Sequence, residues 1–399
     1  MKYTSIAGKQ KKFTILGTAP EEVENARQGS DRVLLVSFII LMLFGMMAVY
    51  SAIAYFAQTK GTTAGALFAN HSVKLILGFT VMLIASKINY HHVVKWSRYG
   101  VLVSWVLLLV VMTAGDTVFG ARRSLSVGGF SFQPSSLAAV SLLLYISGLI
   151  AEKQAYIREF ERSFVPIMVW ISVTCGLIAI EDFSSAALLF VICFVMMFVG
   201  RVPMLHLGGI IAIGIAGGIF LVSSSPERVA RVNEFVDQVI TIRSAEFETG
   251  EGYQSQQAQI AIAQGGVTGV GIGKSTQRDF LPAPYNDFLF AIVAEEYGLI
   301  GAMTLLGLLA VILIRGVWDV ARRAEDEQGA LVALAATLMI TMYGFIHAGV
   351  SSGILPVTGL PMPFMSYGGS SILFTGLMAG VLLNVSKHTT DRERPYIFA

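Results

Sequence analysis

Apolar residues are grouped along almost the whole chain into long runs, separated by shorter polar stretches. Within the runs the apolar positions do not alternate with polar ones, which excludes the strands of a membrane β-barrel. A helix needs roughly 20 apolar residues to cross the hydrocarbon core of a bilayer, and shorter runs can still cross with help from their flanks. The predicted spans are residues 33–56, 73–86, 99–114, 135–151, 164–180, 184–200, 205–223, 287–317, 329–350 and 370–386. The predicted fold class is therefore all-α, a polytopic membrane protein with about ten transmembrane helices.

Three polar segments are longer than the other connections, at residues 115–134, 224–286 and 351–369. With ten spans, all three lie on the same side of the membrane, and the longest connects helices 7 and 8. Long connections in a compact protein are more often functional than accidental. We therefore expect the three segments to form one composite site. Within the longest, residues 254–263 predict a short amphipathic re-entrant helix.

Composition supports a membrane protein, because 54% of the 399 residues are hydrophobic and only 14% are charged. A soluble domain carries about 25% charged residues. The formal net charge is +2, and no compact basic patch with interleaved aromatic residues is present. No nucleic-acid partner is therefore expected.

The distribution of Lys and Arg predicts the orientation. Of the 28 basic residues, 19 fall in the two termini and in the loops on the same side as the termini. Because cytoplasmic loops are enriched in Lys and Arg, both termini are predicted to be cytoplasmic. The predicted organisation is a cytoplasmic tail (1–32), a membrane domain (33–388) and a second cytoplasmic tail (389–399).

Asp287 is the principal candidate for catalysis. It ends the longest polar segment, directly before a helix-forming apolar run. A carboxylate there can take a proton from a substrate hydroxyl, and it can equally cap the helix. Its position alone does not decide between these roles. Glu295 and Glu296 follow in the same helix, and for them structural hydrogen bonding is favoured over chemistry.

Arg122 and Arg123 lie on the outer side, against the bias of basic residues toward the cytoplasm. Paired guanidinium groups suit a pyrophosphate, although contact with lipid headgroups or an ion pair with Asp116 would also explain them. Residues 265–274 form a glycine-rich cluster ending in Lys274. Its backbone N–H groups can approach an anion closely, but a flexible loop is the default interpretation.

Taken together, these stretches resemble the SEDS family (shape, elongation, division and sporulation), over about residues 33–388. The first family motif corresponds to Gly120-Ala121-Arg122-Arg123-Ser124, Gly128 and Gln133-Pro134-Ser135. The other three correspond to residues 257–273, 282–298 and 356–371. The chain departs from the family pattern at five single positions and in the family's Pro-Asp-x-Gly-Thr segment, which reads Glu181-Asp182-Phe183-Ser184-Ser185. Ser136 and Ala139 replace an acidic residue and a Lys, Ser124 replaces a Trp, Ala283 a Glu, and Asn286 a Thr.

The resemblance implies a peptidoglycan glycosyltransferase that polymerises lipid II at the outer face of the bacterial cytoplasmic membrane. Asp287 is then the general base, and Arg122, Arg123 and Lys274 bind the donor pyrophosphate. Supporting roles are implied for Gln133, Gln257, Gly271, Gly273, Glu295, Glu296, Ser366, Gly368 and Gly369. A divalent cation, Mg²⁺ or Mn²⁺, is expected to assist the reaction, and no organic cofactor is expected.

The expected partner is a class B penicillin-binding transpeptidase, together with other proteins of the division or elongation complex. The particular residues found in the motifs favour an FtsW-like role in division over a RodA-like role in elongation. Two further classes fit a polytopic protein with a polar outer face: a flippase for lipid-linked precursors and a non-enzymatic scaffold. A flippase should carry polar residues through the full depth of the membrane. Most spans here are apolar through their middle.

Overall fold

The protein is described from a computed structural model, which covers residues 29–59, 61, 63–118, 121–127, 130–240, 250–281 and 284–390. Almost all of the predicted N-terminal tail and most of the predicted C-terminal tail lie outside these residues. The described chain contains twelve α-helices. They are α1 Arg32–Thr59, α2 Ala64–Ala85, α3 Tyr90–Ala114, α4 Pro134–Glu152, α5 Val165–Glu181, α6 Phe183–Val199, α7 Met204–Ser223, α8 Pro226–Ile240, α9 Gly250–Gly265, α10 Leu289–Ile314, α11 Glu327–Ser351 and α12 Gly369–Val385.

Ten of these helices correspond to the predicted spans, which confirms the polytopic helical fold. Eight helices of the described chain, including short π-helical turns at Phe160–Phe164 and Arg315–Ala321, are long and apolar enough to cross a membrane. The other two, α6 and α12, are apolar helices of 17 residues. Most residues in the apolar stretches of α4 and α11 are buried by other helices, 72% in each, whereas only 11% of those in α7 are buried.

Two helices begin earlier than the apolar pattern predicts. The second span starts at Ala64 instead of residue 73, because Thr63 caps the helix by accepting a hydrogen bond from the N–H of Ala66 at 3.2 Å. The third starts at Tyr90 instead of 99, where the Asn89 side chain accepts from the N–H of His91. Polar residues within the first three turns, such as Asn70 and His71 in α2 and His91 and His92 in α3, interrupt the apolar pattern, so apolar runs alone did not locate either start.

Helices α2 and α12 pack backbone against backbone through small residues. A Cβ atom added to Gly376 would lie 2.4 Å from the carbonyl oxygen of Gly78, and one added to Gly380 would lie 2.4 Å from that of Met82. Helices in membranes associate by such close packing, since lipid supplies little hydrophobic driving force. This contact fixes the position of α12, whose first turn follows the polar segment 351–369.

The outer segments contain more regular structure than the sequence predicts. Residues 115–134 form a small antiparallel sheet of β1 Asp116–Val118, β2 Ala121–Val127 and β3 Phe130–Phe132, in the order β1-β2-β3. The alternating residues 124–127, Ser-Leu-Ser-Val, carry the period of two that a strand requires. In the longest segment, the predicted re-entrant helix lies within α9. Helix α8 was not predicted, although its Pro226 occupies a favourable first-turn position.

The ends of the spans gather into two groups. At one end, called here the Asp31 end, the N–H of Asp31 donates to Ser386 Oγ at 3.0 Å, and its carboxylate lies 3.4 Å from Arg315. The start of α3 joins them, because the N–H of Tyr90 donates to Asn384 Oδ1 at 2.9 Å.

At the opposite end, called here the Asp287 end, the polar segments meet the start of α10. Ser51 of α1 donates to the carboxylate of Glu296 there, and the N–H of Tyr367 donates to the carbonyl of Tyr285 at 3.2 Å. The loops rich in Lys and Arg are at the Asp31 end, which the sequence predicts to be cytoplasmic.

Candidate functional site

Asp287 lies just outside the first turn of α10. The helix begins at Leu289, and its N-cap position is Phe288, which makes no side-chain cap hydrogen bond. Asp287 is therefore one residue before the cap, and its side chain is half-buried. This position weakens the interpretation of Asp287 as a helix cap. It leaves a partly desolvated carboxylate at the surface of the polar end.

The segment 351–369 holds the residues before Asp287 in place. Ser366 Oγ donates to the carbonyl of Asn286 at 2.9 Å and accepts from the N–H of Met362 at 2.7 Å. The next residue, Tyr367, donates its N–H to the carbonyl of Tyr285. Ser366 thus holds the backbone of the residue that precedes Asp287.

His347, near the end of α11, fixes the other side of this turn. Its Nε2 accepts from the N–H of Phe290 at 3.5 Å, and its Nδ1 donates to the carbonyl of Leu360 at 2.9 Å. The buried imidazole thus joins the first turn of α10 to the segment that carries Ser366. Sequence reasoning did not find this residue, because its partners lie 57 and 13 positions away.

Two tyrosines lie beside the carboxylate. The rings of Tyr285 and Tyr367 meet edge to face, with centroids 5.8 Å apart. Burial, and then the negative charge of Asp287 and the neighbouring Tyr367, raise the pKa of Tyr285 to about 12. The Tyr285 hydroxyl is therefore neutral at physiological pH and can donate a hydrogen bond, but it does not serve as a base.

A cation from α2 extends this cluster. Lys74 Nζ lies 4.1 Å from the centroid of the Tyr367 ring, a cation–π contact. One turn earlier, His71 stacks on the same ring at 5.6 Å. Both nitrogens of the buried His71 ring lack a hydrogen-bond partner among the described residues. The predicted span began at residue 73 and so placed Lys74 at its very end, where a lysine is ordinary. The observed helix, Ala64–Ala85, places Lys74 near its middle, where a lysine is a functional signal.

Glu295 and Glu296 are buried, and they anchor the loop that follows the glycine cluster. Glu295 accepts from the N–H groups of Thr276 at 2.8 Å and Gln277 at 3.3 Å, and from the hydroxyl of Ser275. Glu296 accepts from the N–H of Ser275 at 3.3 Å and from the hydroxyl of Ser51 on α1. These contacts agree with the structural interpretation of both carboxylates.

The glycine cluster approaches the protein's own backbone. The N–H groups of Val270 and Gly271 donate to the carbonyls of Glu295 and Glu296, at 2.9 and 3.1 Å. A Cβ on Gly269 would lie 2.1 Å from the Glu296 carbonyl oxygen. The close approach that glycine permits is thus made to α10, and the predicted anion contact of the Gly271 N–H has no support in this geometry.

The other predicted residues are spread over the same end. Gly273 has φ +75° and accepts from Arg278 at 3.1 Å, and Lys274 is exposed. Gln257 lies on α9, which packs on α10. Gly368 is the N-cap of α12 and Gly369 its first residue.

Gln133 connects the first outer segment to the third. It lines a cavity of about 30 Å³ with Ser135, Ser136, Pro361 and Ser371, among others. Where the family pattern has an acidic residue and a lysine, this chain has Ser136 facing that small polar space and a buried Ala139. Because both charges are absent together, neither is left buried without a partner.

Arg122 and Arg123 lie on β2, where the backbone of Arg122 pairs with Thr117. Their side chains are outside the described part of the structure. Strand β2 contacts α3 and α4, and β3 contacts α12, with the rings of Phe132 and Phe374 6.0 Å apart. The small sheet thus lies at the Asp287 end with the other two outer segments.

The donors needed for a protein-held metal ion do not come together in the described chain, where no three His, Cys, Asp or Glu side chains form a group. The described residues therefore do not fit a metal bound by the protein alone. Assistance by Mg²⁺ or Mn²⁺, bound mainly through substrate phosphates, stays a prediction.

Comparison with known proteins agrees with this architecture. The sequence profile of the FtsW, RodA and SpoVE family, described as a cell cycle protein, matches residues 31–391. Stage V sporulation protein E of Bacillus subtilis is 33% identical over 363 residues, covering 90% of this chain and 97% of that protein. A probable peptidoglycan glycosyltransferase FtsW of Geobacter sp. (strain M18) is 31% identical, with the same coverage.

Two solved structures are similar. One is of a peptidoglycan synthase complex that coordinates polymerization and crosslinking, with a TM-score of 0.72 and 25% identity over 90% of this chain and 97% of the other. The other is the rod shape determining protein RodA of Thermus thermophilus, with a TM-score of 0.64 and 23% identity over 91% and 98% of the two chains. The second likeness concerns the fold alone.

Proposed function

The chain belongs to the FtsW, RodA and SpoVE family of cell cycle proteins, and from that membership we propose that it polymerises lipid II into peptidoglycan strands. The observation that carries this proposal is the half-buried Asp287, placed outside the cap of α10 and held by the segment 351–369. The motif that contains it is one of four family motifs present in order along the chain.

The proposed reaction needs one base. The 4-hydroxyl of the acceptor's N-acetylglucosamine gives its proton to Asp287 and attacks the anomeric carbon of the donor's N-acetylmuramic acid. The bond from that carbon to the pyrophosphate oxygen breaks, and undecaprenyl pyrophosphate leaves. Direct displacement inverts the anomeric centre, so no second nucleophilic carboxylate is required. This agrees with a site in which Glu295 and Glu296 are occupied by the loop 275–277.

The leaving pyrophosphate needs positive charge, which stabilises the negative charge that grows on its oxygens. Lys74 supplies a cation beside the tyrosine pair at Asp287. Arg122 and Arg123 lie on the strand at the same end of the bundle and stay predicted contributors. Lys274 is exposed on the glycine loop and stays a prediction as well.

Related proteins and the distribution of Lys and Arg support a partner protein, a cellular role and a membrane orientation for this reaction. The similar synthase complex coordinates polymerization with crosslinking, which supports a class B penicillin-binding transpeptidase as the partner of this chain. Relatives named FtsW favour a role in division, and a RodA-like role in elongation is the alternative. The distribution of Lys and Arg supports the bacterial cytoplasmic membrane with both termini inside, so that Asp287 faces outward.

A purified-protein assay separates the enzyme from a transporter. With fluorescent lipid II in proteoliposomes, the enzyme yields glycan chains and releases undecaprenyl pyrophosphate. A flippase makes lipid II accessible in the opposite leaflet without forming chains. A scaffold does neither. Flipping without polymer, at matched and monodisperse protein, would overturn the proposed function.

A further inference from the structure

A large cavity lies at the Asp31 end, far from the proposed chemistry. It has a volume of about 800 Å³, is open to the protein surface, and is lined by the start of α3, the end of α4 and the start of α11. That size is within the range of small-molecule sites, roughly 300–1,000 Å³. The proposed polymerisation makes no use of it.

One wall of the cavity carries the cations Lys95 and Arg98 and the imidazole of His91. His91, Lys95 and Arg98 follow one another at helical spacing on α3, so they share a face. His91 Nε2 is paired with Asp326 at 2.7 Å, and Asp326 also accepts from the hydroxyl of Tyr90 at 2.9 Å. Within the described ranges, Lys95 and Arg98 form no salt bridge.

The other walls carry carboxylates. Glu152 is the last residue of α4 and Glu327 the first of α11, and both line the cavity. Neither forms a salt bridge in the part of the chain that the structure describes. Tyr145, also in the lining, lies close enough to Arg98 and Glu152 to be influenced by both charges. Apart from the contact between His91 and Asp326, the oppositely charged side chains that line the cavity do not pair with one another in the part of the chain that the structure describes.

The neighbouring aromatic residues place the cavity at the membrane surface. Trp96 and Tyr99 are 67% and 59% exposed, with ring centroids 5.6 Å apart. Exposed Trp and Tyr mark the level of lipid headgroups. Further along α3, Leu102, Val106 and Leu109 are exposed and suit contact with lipid chains. The mouth of the cavity is therefore at headgroup level.

We propose that this cavity binds the headgroup of a zwitterionic, amine-bearing phospholipid of the phosphatidylethanolamine type. Its phosphate lies between Lys95 and Arg98, where a guanidinium suits a phosphate. Its ammonium group lies near Glu152 and Glu327. An anionic headgroup would satisfy the cations and leave both carboxylates without a partner. The amine gives the proposed selectivity.

The test uses the full chain in nanodiscs of equal phosphatidylethanolamine and phosphatidylglycerol, followed by mild extraction and native mass spectrometry. The wild type is expected to retain phosphatidylethanolamine selectively. The double variant Lys95→Gln/Arg98→Gln is expected to lose retention by about tenfold, the effect of one charge-assisted hydrogen bond. Arg158→Gln, which removes an exposed cation outside the cavity, is the matched control and should retain the lipid.

A second variant keeps the test decisive if the first does not fold. Glu152→Gln/Glu327→Gln leaves the phosphate contacts intact and should shift retention from phosphatidylethanolamine toward phosphatidylglycerol. Three results would each overturn the proposal. They are equal retention of the two lipids by the wild type, loss of retention in Arg158→Gln to the same extent, and a co-purified protein cross-linked at Lys95 in place of lipid.

Discussion

At the scale of single residues, the roles are divided between one carboxylate and the groups that position it. Asp287 is half-buried and outside the cap of α10, while Ser366 and His347 fix the backbone on either side of it. Tyr285 stays protonated, because burial and the charge of Asp287 raise its pKa to about 12. The proposed mechanism therefore assigns the proton transfer to Asp287.

Lys74 gives a prediction at this scale. If its ammonium group stabilises the departing pyrophosphate, Lys74→Met should lower polymerisation by about 100-fold, the usual effect of losing one such electrostatic contact. Lys74→Arg keeps the charge and should retain part of the activity. The measurement is glycan synthesis from purified lipid II at equal amounts of monodisperse protein.

Lys87→Met is the control for Lys74, because Lys87 is an exposed cation in the turn after α2, at the Asp31 end. It should polymerise like the wild type. Equal activity of Lys74→Met and Lys87→Met would remove Lys74 from the site and leave the pyrophosphate to the arginines of β2.

At the scale of elements, the helix that follows Asp287, α10, is kinked at Gly298. The glycine loop packs against α10 at this kink. Gly298 has φ +66°, a conformation that favours glycine. The loop's N–H groups reach the carbonyls of Glu295 and Glu296, and the carboxylates of the same two residues hold the loop beyond. The Glu-Glu-Tyr-Gly motif at residues 295–298 and the glycine loop thus form one structural unit.

Replacing the kink glycine should destabilise this unit. A Cβ in Gly298→Ala would lie 2.3 Å from the N atom of Gly269, in addition to the unfavourable φ. The expected loss is on the order of 3 kcal/mol. Gly307→Ala on the same helix meets no atom within 4 Å and should keep the wild-type stability. Thermal unfolding in detergent measures both, and equal melting temperatures would contradict the proposed docking of the loop.

The sequence predicted the spans well and their contacts poorly, for a physical reason. A bilayer forces each crossing to be a continuous apolar helix, so ten spans could be read from composition. The helices that start at Ala64 and Tyr90 have polar residues within their first three turns, so their starts lacked that signal. The pairing of Tyr285 with Tyr367 joins residues 82 positions apart (367 − 285), and no local pattern encodes it.

At the scale of the whole molecule, the Asp31 end and the Asp287 end must lie on opposite sides of the membrane. In the predicted orientation, the Asp287 end is outside, where lipid II is polymerised, and the Asp31 end is inside. The chain's own cysteines, Cys175 and Cys193, are buried, so introduced cysteines can report the sides.

Thr268→Cys, in the exposed part of the glycine loop, should react with an impermeant maleimide in intact cells. Arg158→Cys, exposed between α4 and α5, should react only after lysis. The reverse pattern would place Asp287 in the cytoplasm, away from the proposed substrate.

The central claim is that Asp287 takes the proton, and the decisive measurement compares two matched variants in the lipid II polymerisation assay. Asp287→Asn keeps the shape of the side chain but removes the base, and should reduce chain synthesis by at least about 100-fold. Asp279→Asn makes the same change on a nearby exposed residue, paired at 3.6 Å with Arg278, and should polymerise at the wild-type rate. Both proteins must be monodisperse and equally stable. Polymerisation by Asp287→Asn at a rate close to that of Asp279→Asn would contradict the account.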